Sequence, residues 1–300
     1  MKDDSPSRKK IGLIAGWGQF PISVAQALVD QDFQVHCMAV KGHADPVLAE
    51  ICNSYQVFGI GRMGAQMRFL RRAGVTHATM AGKFFKTLLF QRKIDLIRHF
   101  PDLTCVRHFY PVLFGSKTRD RRDDTLLNTV IKMYGSAGIT FAPATDFAPE
   151  LLVKEGRLTR KPPTESQMND IEFGWNMAKE MGRLDIGQTV VVKEGAVMAI
   201  EAIEGTDECI KRAGRLCKCG FTVVKVAKPN QDMRFDVPTI GVGTIETIAA
   251  AGGNVLAIEA DKTIVLEQAE TIATAERLGV SVFAIHENQF ESALNNKAAG

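Results

Sequence analysis

Apolar and polar positions change rhythm along the chain. Residues 11–15 form a short apolar run broken by Gly16-Trp17-Gly18-Gln19-Phe20-Pro21, after which apolar positions recur at helical spacing through Val29. A second strand is predicted over 34–40, a weaker third over 56–59, a basic helix over 63–73, and a fourth strand over 78–81 that ends at Gly82-Lys83. A helix over 124–134 and a strand over 139–142 complete this half. Strand and helix alternate, which argues for parallel βαβ units.

Residues 143–163 carry four prolines and read as a connection. Thr164 then caps a helix to about Gly182, with Glu165 in its first turn. The second half has another rhythm. Strands over 189–193 and 196–202 flank Glu194-Gly195, a hairpin signal, and Thr206-Asp207 opens a helix to about Arg215. The apolar strand 221–227 leads into the polar stretch 228–237; Thr244 starts a helix. Strands over 255–258 and 263–266, a helix over 267–278 and a strand over 280–285 follow. The predicted fold class is α/β: two α/β domains, the N-terminal one Rossmann-like with a parallel sheet, the C-terminal one a mixed sheet with helices. The boundaries read as a disordered basic arm over 1–10, the first domain over 11–142, the connection over 143–163, the second domain over 164–290 and a disordered tail over 291–300.

Composition narrows the class. With 45% hydrophobic and 24% charged residues and a mean hydropathy of −0.03, the chain is that of a water-soluble globular protein. No apolar run reaches the roughly 18 residues of a membrane span. The basic leader before Ile11 imitates a signal peptide, but its apolar run stops at the glycine turn. Six cysteines form no C-x-x-C pair, so a reducing cytoplasm is expected.

Charge is uneven. Net charge is +3, yet residues 62–132 hold fifteen Lys and Arg against five Asp and no Glu, which makes that segment +10 and the remainder −7. Eight aromatics lie in it, among them Phe84, Phe85 and Phe90 flanked by Lys83, Lys86, Arg92 and Lys93. Such a face suits an anionic amphiphile or an anionic membrane surface, and equally a solvated face over an ordinary core. Nucleic acid is not expected as a partner, because no binding motif accompanies the charge.

The motifs point to phosphate chemistry. Gly16 and Gly18 resemble the start of a dinucleotide fingerprint, but Pro21 replaces the third glycine and Val40-Lys41-Gly42 offers no ribose-binding acid. The turn suits nucleotide or phosphate contact, or a purely structural role. The densest polar cluster is Lys228-Pro229-Asn230-Gln231-Asp232-Met233-Arg234-Phe235-Asp236, hung from a strand end, where α/β sheets bind ligands. Its carboxylates could hold a divalent cation and its Lys and Arg a phosphate, while Gly241, Gly243 and Thr244 offer N–H groups at a helix start. Glu201, Thr206 and Asp207 place oxygens at a strand end and a helix start, where capping is the other reading. Asp123 and Asp124 are metal ligands or helix-start acids facing Arg119, Arg121 and Arg122.

Taken in order, Gly-x-Gly-x-x-Pro, Ala81-Gly82-Lys83, Asp123-Asp124-x-Leu126-Leu127, Glu201-Ala202-x-Glu204-Gly205-Thr206-Asp207 and Lys228-Pro229-x-Gln231-Asp232-x-Arg234-x-Asp236-x-Pro238-x-x-Gly241 resemble the UDP-2,3-diacylglucosamine pyrophosphatases of lipid A synthesis. The resemblance is to their two-domain type, since the histidine-bearing metal motifs of the calcineurin-like type are absent. It implies a hydrolase dependent on Mg²⁺ or another divalent cation that cuts UDP-2,3-diacylglucosamine into UMP and 2,3-diacylglucosamine 1-phosphate. The C-terminal domain would carry catalysis and hold the lipid product. Asp232 would be the leading catalytic carboxylate, with Gln231, Arg234 and Asp236 around it. Lys228, Gly16, Gly18, Lys83, Thr206, Gly241 and Thr244 would meet substrate, and Asp232, Asp236, Glu201, Asp207, Asp123 and Asp124 would supply metal ligands. A cytoplasmic homodimer, peripheral on an anionic membrane, is also implied. The residues alone leave open a nucleotide-linked oxidoreductase or a non-catalytic nucleotide-binding module.

Overall fold

The computed structural model describes residues 9–82, 101–114, 123–217, 219–234 and 236–290. The chain divides into two compact units, residues 1–149 with 233–235, and residues 150–232 with 236–300. The predicted arm, the tail and the stretch from Lys83 to Phe100, which includes Lys83, Phe84, Phe85 and Phe90, lie largely outside the described residues.

In the first unit, β1 (Lys10–Ala15), α1 (Phe20–Asp30), β2 (Gln34–Val40), α2 (Leu48–Ile51), β3 (Ser54–Phe58), α3 (Met63–Arg72), β4 (His77–Ala81), α4 (Leu103–Phe114), α5 (Asp123–Ser136) and β5 (Thr140–Phe141) follow in turn. The strands form one sheet in the order β3-β2-β1-β4-β5, parallel throughout. β1 is buried from Ile11 to Ala15, as a central parallel strand covered on both faces must be. Strand order reverses between β1 and β4, and there the turn after β1 meets Gly82. A Cβ on Gly82 would lie 2.7 Å from Pro21 Cγ and 2.9 Å from Trp17 O, so Pro21 is a packing residue of this turn.

Two buried polar side chains of this unit are paired with each other. Tyr134 Oη donates to Gln66 Oε1 at 2.6 Å, and Gln66 Nε2 donates to Gly59 O at 3.0 Å. Asp102 accepts from Gly64 N and Ala65 N at the start of α3, and from Cys105 N at the start of α4, so one carboxylate serves two helix N-termini.

After α6 (Ala144–Phe147), the second unit runs β6 (Gly156–Arg157), α7 (Glu165–Arg183), β7 (Thr189–Lys193), β8 (Ala196–Ile200), α8 (Thr206–Cys217), β9 (Phe221–Lys225), β10 (Thr239–Ile240), α9 (Val242–Ala250), β11 (Gly253–Glu259), β12 (Ile264–Val265), α10 (Gln268–Leu278) and β13 (Ser281–Ile285). Six strands make a mixed sheet ordered β6-β13-β11-β9-β7-β8, and β10 pairs with β12 separately. β9, β11 and β13 are parallel, while β7 runs against both β9 and β8. Alternate residues face two cores. Val223 and Leu256 join one with Ile210, Ile245 and Ala275 from α8, α9 and α10; Val224 and Ala257 join the other with Ile171 and Trp175 of α7.

Local chemistry sets the element ends. Thr164 and Gln167 close a reciprocal capping box at the start of α7. The β7–β8 turn has Glu194 at φ 50° and Gly195 at φ 74°, as a two-residue hairpin of the primed kind requires. Asp170 of α7 holds that turn, accepting from Gly195 N at 2.7 Å and Glu194 N at 3.0 Å. α7 lies close on the sheet because Gly174 has no side chain; a Cβ would sit 2.8 Å from Val224 Cγ2.

The expected connection is more ordered than its prolines suggest. It holds α6, a 3-10 turn at Pro149–Leu151 and β6, which pairs antiparallel with β13. Replacing Asp170 by Ala removes a charged acceptor from two N–H groups, so Asp170→Ala is expected to destabilise the second unit by about 2–3 kcal/mol. Urea unfolding followed by Trp175 fluorescence checks it, and an unchanged midpoint would refute the role of Asp170.

Candidate active site

β8 and β9 run in the same direction because antiparallel β7 stands between them. Their C-terminal ends therefore reach one edge of the sheet, on either side of Thr189: Lys225 pairs with Thr189, and Glu201 N donates to Thr189 O at 2.9 Å. Both side chains are buried there, Glu201 at 8% and Lys225 at 7% exposure. Lys225 Nζ donates to Thr206 Oγ1 at 3.1 Å and to Thr239 O at 3.1 Å, and Thr206 Oγ1 donates to Glu201 Oε1 at 2.9 Å. Glu201 Oε2 is buried and has no hydrogen-bond partner among the described residues. The turn after β8 is held from α8 by Arg212, whose Nη2 donates to Ile200 O at 2.7 Å and Glu204 Oε1 at 2.6 Å.

The polar loop begins three residues beyond β9 and is bonded to itself. Lys228 N donates to Gln231 Oε1 at 2.7 Å, Gln231 N to Lys228 O at 3.0 Å, and Asp236 N to Asp232 O at 3.2 Å. Lys228 Nζ pairs with Asp185 Oδ1 at 2.7 Å. Asp236 keeps contact with solvent but is crowded by protein, and this desolvation raises its carboxyl above the ordinary range. Lys228, Lys225 and Gln231 pull the other way, and Glu201 adds a smaller upward push. One charge field thus joins Asp236, Lys225, Lys228 and Glu201.

Other expected residues sit elsewhere. Arg234 belongs to the segment grouped with the first unit, where its Nη2 donates to Asn128 Oδ1 at 3.4 Å. Asp207 is exposed in the first turn of α8. Thr244 does not open its helix: α9 starts at Val242, and the Thr244 N–H, expected to be open to a ligand, donates to Gly241 O at 3.0 Å. Gly241 is the extended N-cap residue. Gly16 N donates to Ala81 O at 2.8 Å and Gly18 takes φ 105°, so both glycines shape the turn at the switch point of the first sheet. Asp123 and Asp124 open α5, and their side chains fall outside those described. Lys225 is the residue that sequence reading missed. Its signal was a lysine inside the apolar run Phe-Thr-Val-Val-Lys-Val-Ala.

Among the described residues, no group of three or more His, Cys, Asp or Glu side chains is placed to hold a metal ion. A hard cation of the Mg²⁺ kind needs less, since it is commonly held by one or two carboxylates and completed by water and phosphate oxygens. The unpartnered buried oxygen of Glu201 and the carboxylate of Asp236 fit that requirement.

Comparison with known proteins gives these residues a setting. The model of the LpxI N-terminal domain matches residues 10–151, and that of the LpxI C-terminal domain matches residues 154–283. The chain belongs to the LpxI family. It is 32% identical over 285 residues to the UDP-2,3-diacylglucosamine pyrophosphatase LpxI of Caulobacter vibrioides, covering 92% of this chain and 98% of that one. The family resemblance seen in the motifs is therefore right. Both polar motifs at the β8 and β9 ends fall within the LpxI C-terminal match, and the glycine turn within the N-terminal one.

The raised carboxyl of Asp236 has a measurable consequence. Between the value in the unfolded chain, about 3.9, and the higher folded value, the folded protein holds the proton that the unfolded chain has released. Stability therefore falls as pH rises across that window. Asp236→Asn, neutral throughout, is expected to gain stability relative to the parent over the same interval. Urea titrations from about pH 3.5 to 7 measure this, and a difference that stays flat or declines with pH would refute the shift.

Proposed function

We propose that this protein hydrolyses the pyrophosphate bond of UDP-2,3-diacylglucosamine to UMP and 2,3-diacylglucosamine 1-phosphate in lipid A synthesis. The observation that carries the reading is the convergence of Glu201, Lys225, Lys228 and Asp236 on one sheet edge, in a chain similar nearly end to end to a protein of that name. In such a reaction a water oxygen bonds to one phosphorus while the bridging P–O bond breaks. The water loses a proton, and the departing phosphate oxygen carries away the electron pair. The protein has to place the water and neutralise the phosphoryl oxygens.

In this reading Lys225 and Lys228 face the phosphate charge, and Asp232 is the leading catalytic carboxylate. Asp236, whose carboxyl is raised by desolvation and held down by Lys228 and Lys225, shares the charge field of both lysines. A divalent cation on Glu201 and Asp236 would add charge neutralisation at the phosphoryl oxygens. Gly16 and Gly18, at the switch point of the first sheet, are the nucleotide-side contacts, and a homodimer belongs to the same proposal.

Incubating the pure protein with UDP-2,3-diacylglucosamine and Mg²⁺ should release UMP, and chelation should suppress it. No UMP with any divalent metal would overturn the hydrolase, while UMP binding without turnover would support a nucleotide-binding module. Asp232→Ala should lower kcat by at least about 10²-fold; a variant with parental activity would remove Asp232 from the mechanism.

The proposal includes reversible docking on an anionic membrane, because a diacylated substrate partitions into the bilayer. Its support among the described residues is an exposed set on the first unit: Arg68, Arg71 and Arg72 of α3, with Leu103, Val106, Arg107 and Tyr110 of α4. No described helix is long and apolar enough to cross a membrane. Co-sedimentation with phosphatidylglycerol vesicles should fall with salt, since surface charge is screened over about 8–10 Å at physiological ionic strength. Equal pelleting with neutral vesicles would refute the electrostatic part.

A further inference from the structure

The loop that carries Lys228, Gln231, Asp232 and Asp236 departs at Ala227, and both backbone polar groups of Ala227 are held by one buried ion pair. Ala227 N donates to Glu259 Oε2 at 2.8 Å, and Ala227 O accepts from Lys179 Nζ at 3.4 Å. Lys179 Nζ also donates to both oxygens of Glu259 at 2.8 Å. Glu259, at the end of β11, is 2% exposed, and the Lys179 side chain on α7 is 12% exposed. Lys262 Nζ adds a further contact to Glu259 Oε1 at 2.9 Å.

Two buried charges are a poor means of stabilising a core, because apolar side chains of equal volume serve as well or better. They can, however, fix a peptide unit in distance and direction, which leucine and methionine cannot. Two further contacts tie the end of α7 and the turn after it to the same loop origin. Gly182 leaves room for Lys228, whose Cα would lie 3.1 Å from an added Cβ, and Asp185 pairs with the Lys228 ammonium. The hydrogen bonds within the loop make its first half a unit whose orientation follows from where it starts.

We propose that Lys179 and Glu259 are positioning residues that clamp Ala227 and thereby aim the carboxylates and the lysine of the loop. The functional part of this inference rests on the hydrolase reading given above. Neither side chain is assigned contact with substrate.

The test is Glu259→Gln, which keeps the shape and removes the charge, measured with full-length protein at a temperature where parent and variant are both folded. We expect kcat to fall about 10²-fold with KM within about threefold, as for a reacting group misplaced by about 1 Å. Hydrogen exchange at the amides of Lys228, Gln231 and Asp236 should quicken by at least about tenfold, since opening of the loop origin exposes them. A role in stability alone would lower the melting temperature and leave kcat and loop exchange in place. Either readout unchanged overturns the clamp. If Glu259→Gln does not fold, Lys179→Arg and Lys179→Met decide: about fivefold loss or less for Arg and at least tenfold for Met supports the clamp, and equal rates overturn it. The exchange measurement needs no substrate. A parent that releases no UMP would therefore remove the hydrolase while leaving the clamp open to support or refutation by exchange.

Discussion

Lys225 is an ammonium group at the end of a strand whose neighbours are Val223, Val224 and Val226, all fully buried. A charge taken out of water must find oxygen atoms or lose its proton. Lys225 finds the Thr206 hydroxyl and the Thr239 carbonyl, which draws the start of α8 and the residue opening β10 to the end of β9. Thr206 in turn occupies one oxygen of Glu201. The site is thus laid out by the demand for hydrogen bonds around one buried cation, and the mixed strand directions place those oxygens within its reach.

Much of the fold was legible. The alternation of strand and helix in the first half gives a parallel sheet, and β2 at Gln34–Val40 has the predicted bounds. Glu194-Gly195 announced the hairpin because a primed turn asks for positive φ at both positions. The pieces that were trimmed are short: β5 and β12 keep two residues each, where four were expected. The flanking residues still join the ladders: Ala142 N donates to Ala78 O at 3.1 Å and Leu266 N to Ile240 O at 2.9 Å, so the pattern marked the hydrogen-bonded stretch and not only the paired residues.

The site was legible in part. Glu201, Thr206 and Asp236 were visible as polar residues at element ends. Lys225 was hidden by its apolar neighbours, and Lys179, Glu259 and Asp185 carry no local pattern because the contacts that hold the loop origin span 32 to 80 residues of sequence. Thr244 shows the opposite error. A helix start reads from sequence as a row of open N–H groups, yet the turn that begins the helix had already used that one.

Each of the two larger sheets ends on one side in a strand of two residues, β5 in the first and β6 in the second. A border this short offers an incoming chain almost no ladder to continue. Gly156, at φ 146°, brings the chain into β6, and its pairing with β13 ends at Arg157. Beyond finishing the fold, these stubs limit edge-to-edge stacking between copies, a safeguard for chains with long buried parallel strands that are exposed while they fold.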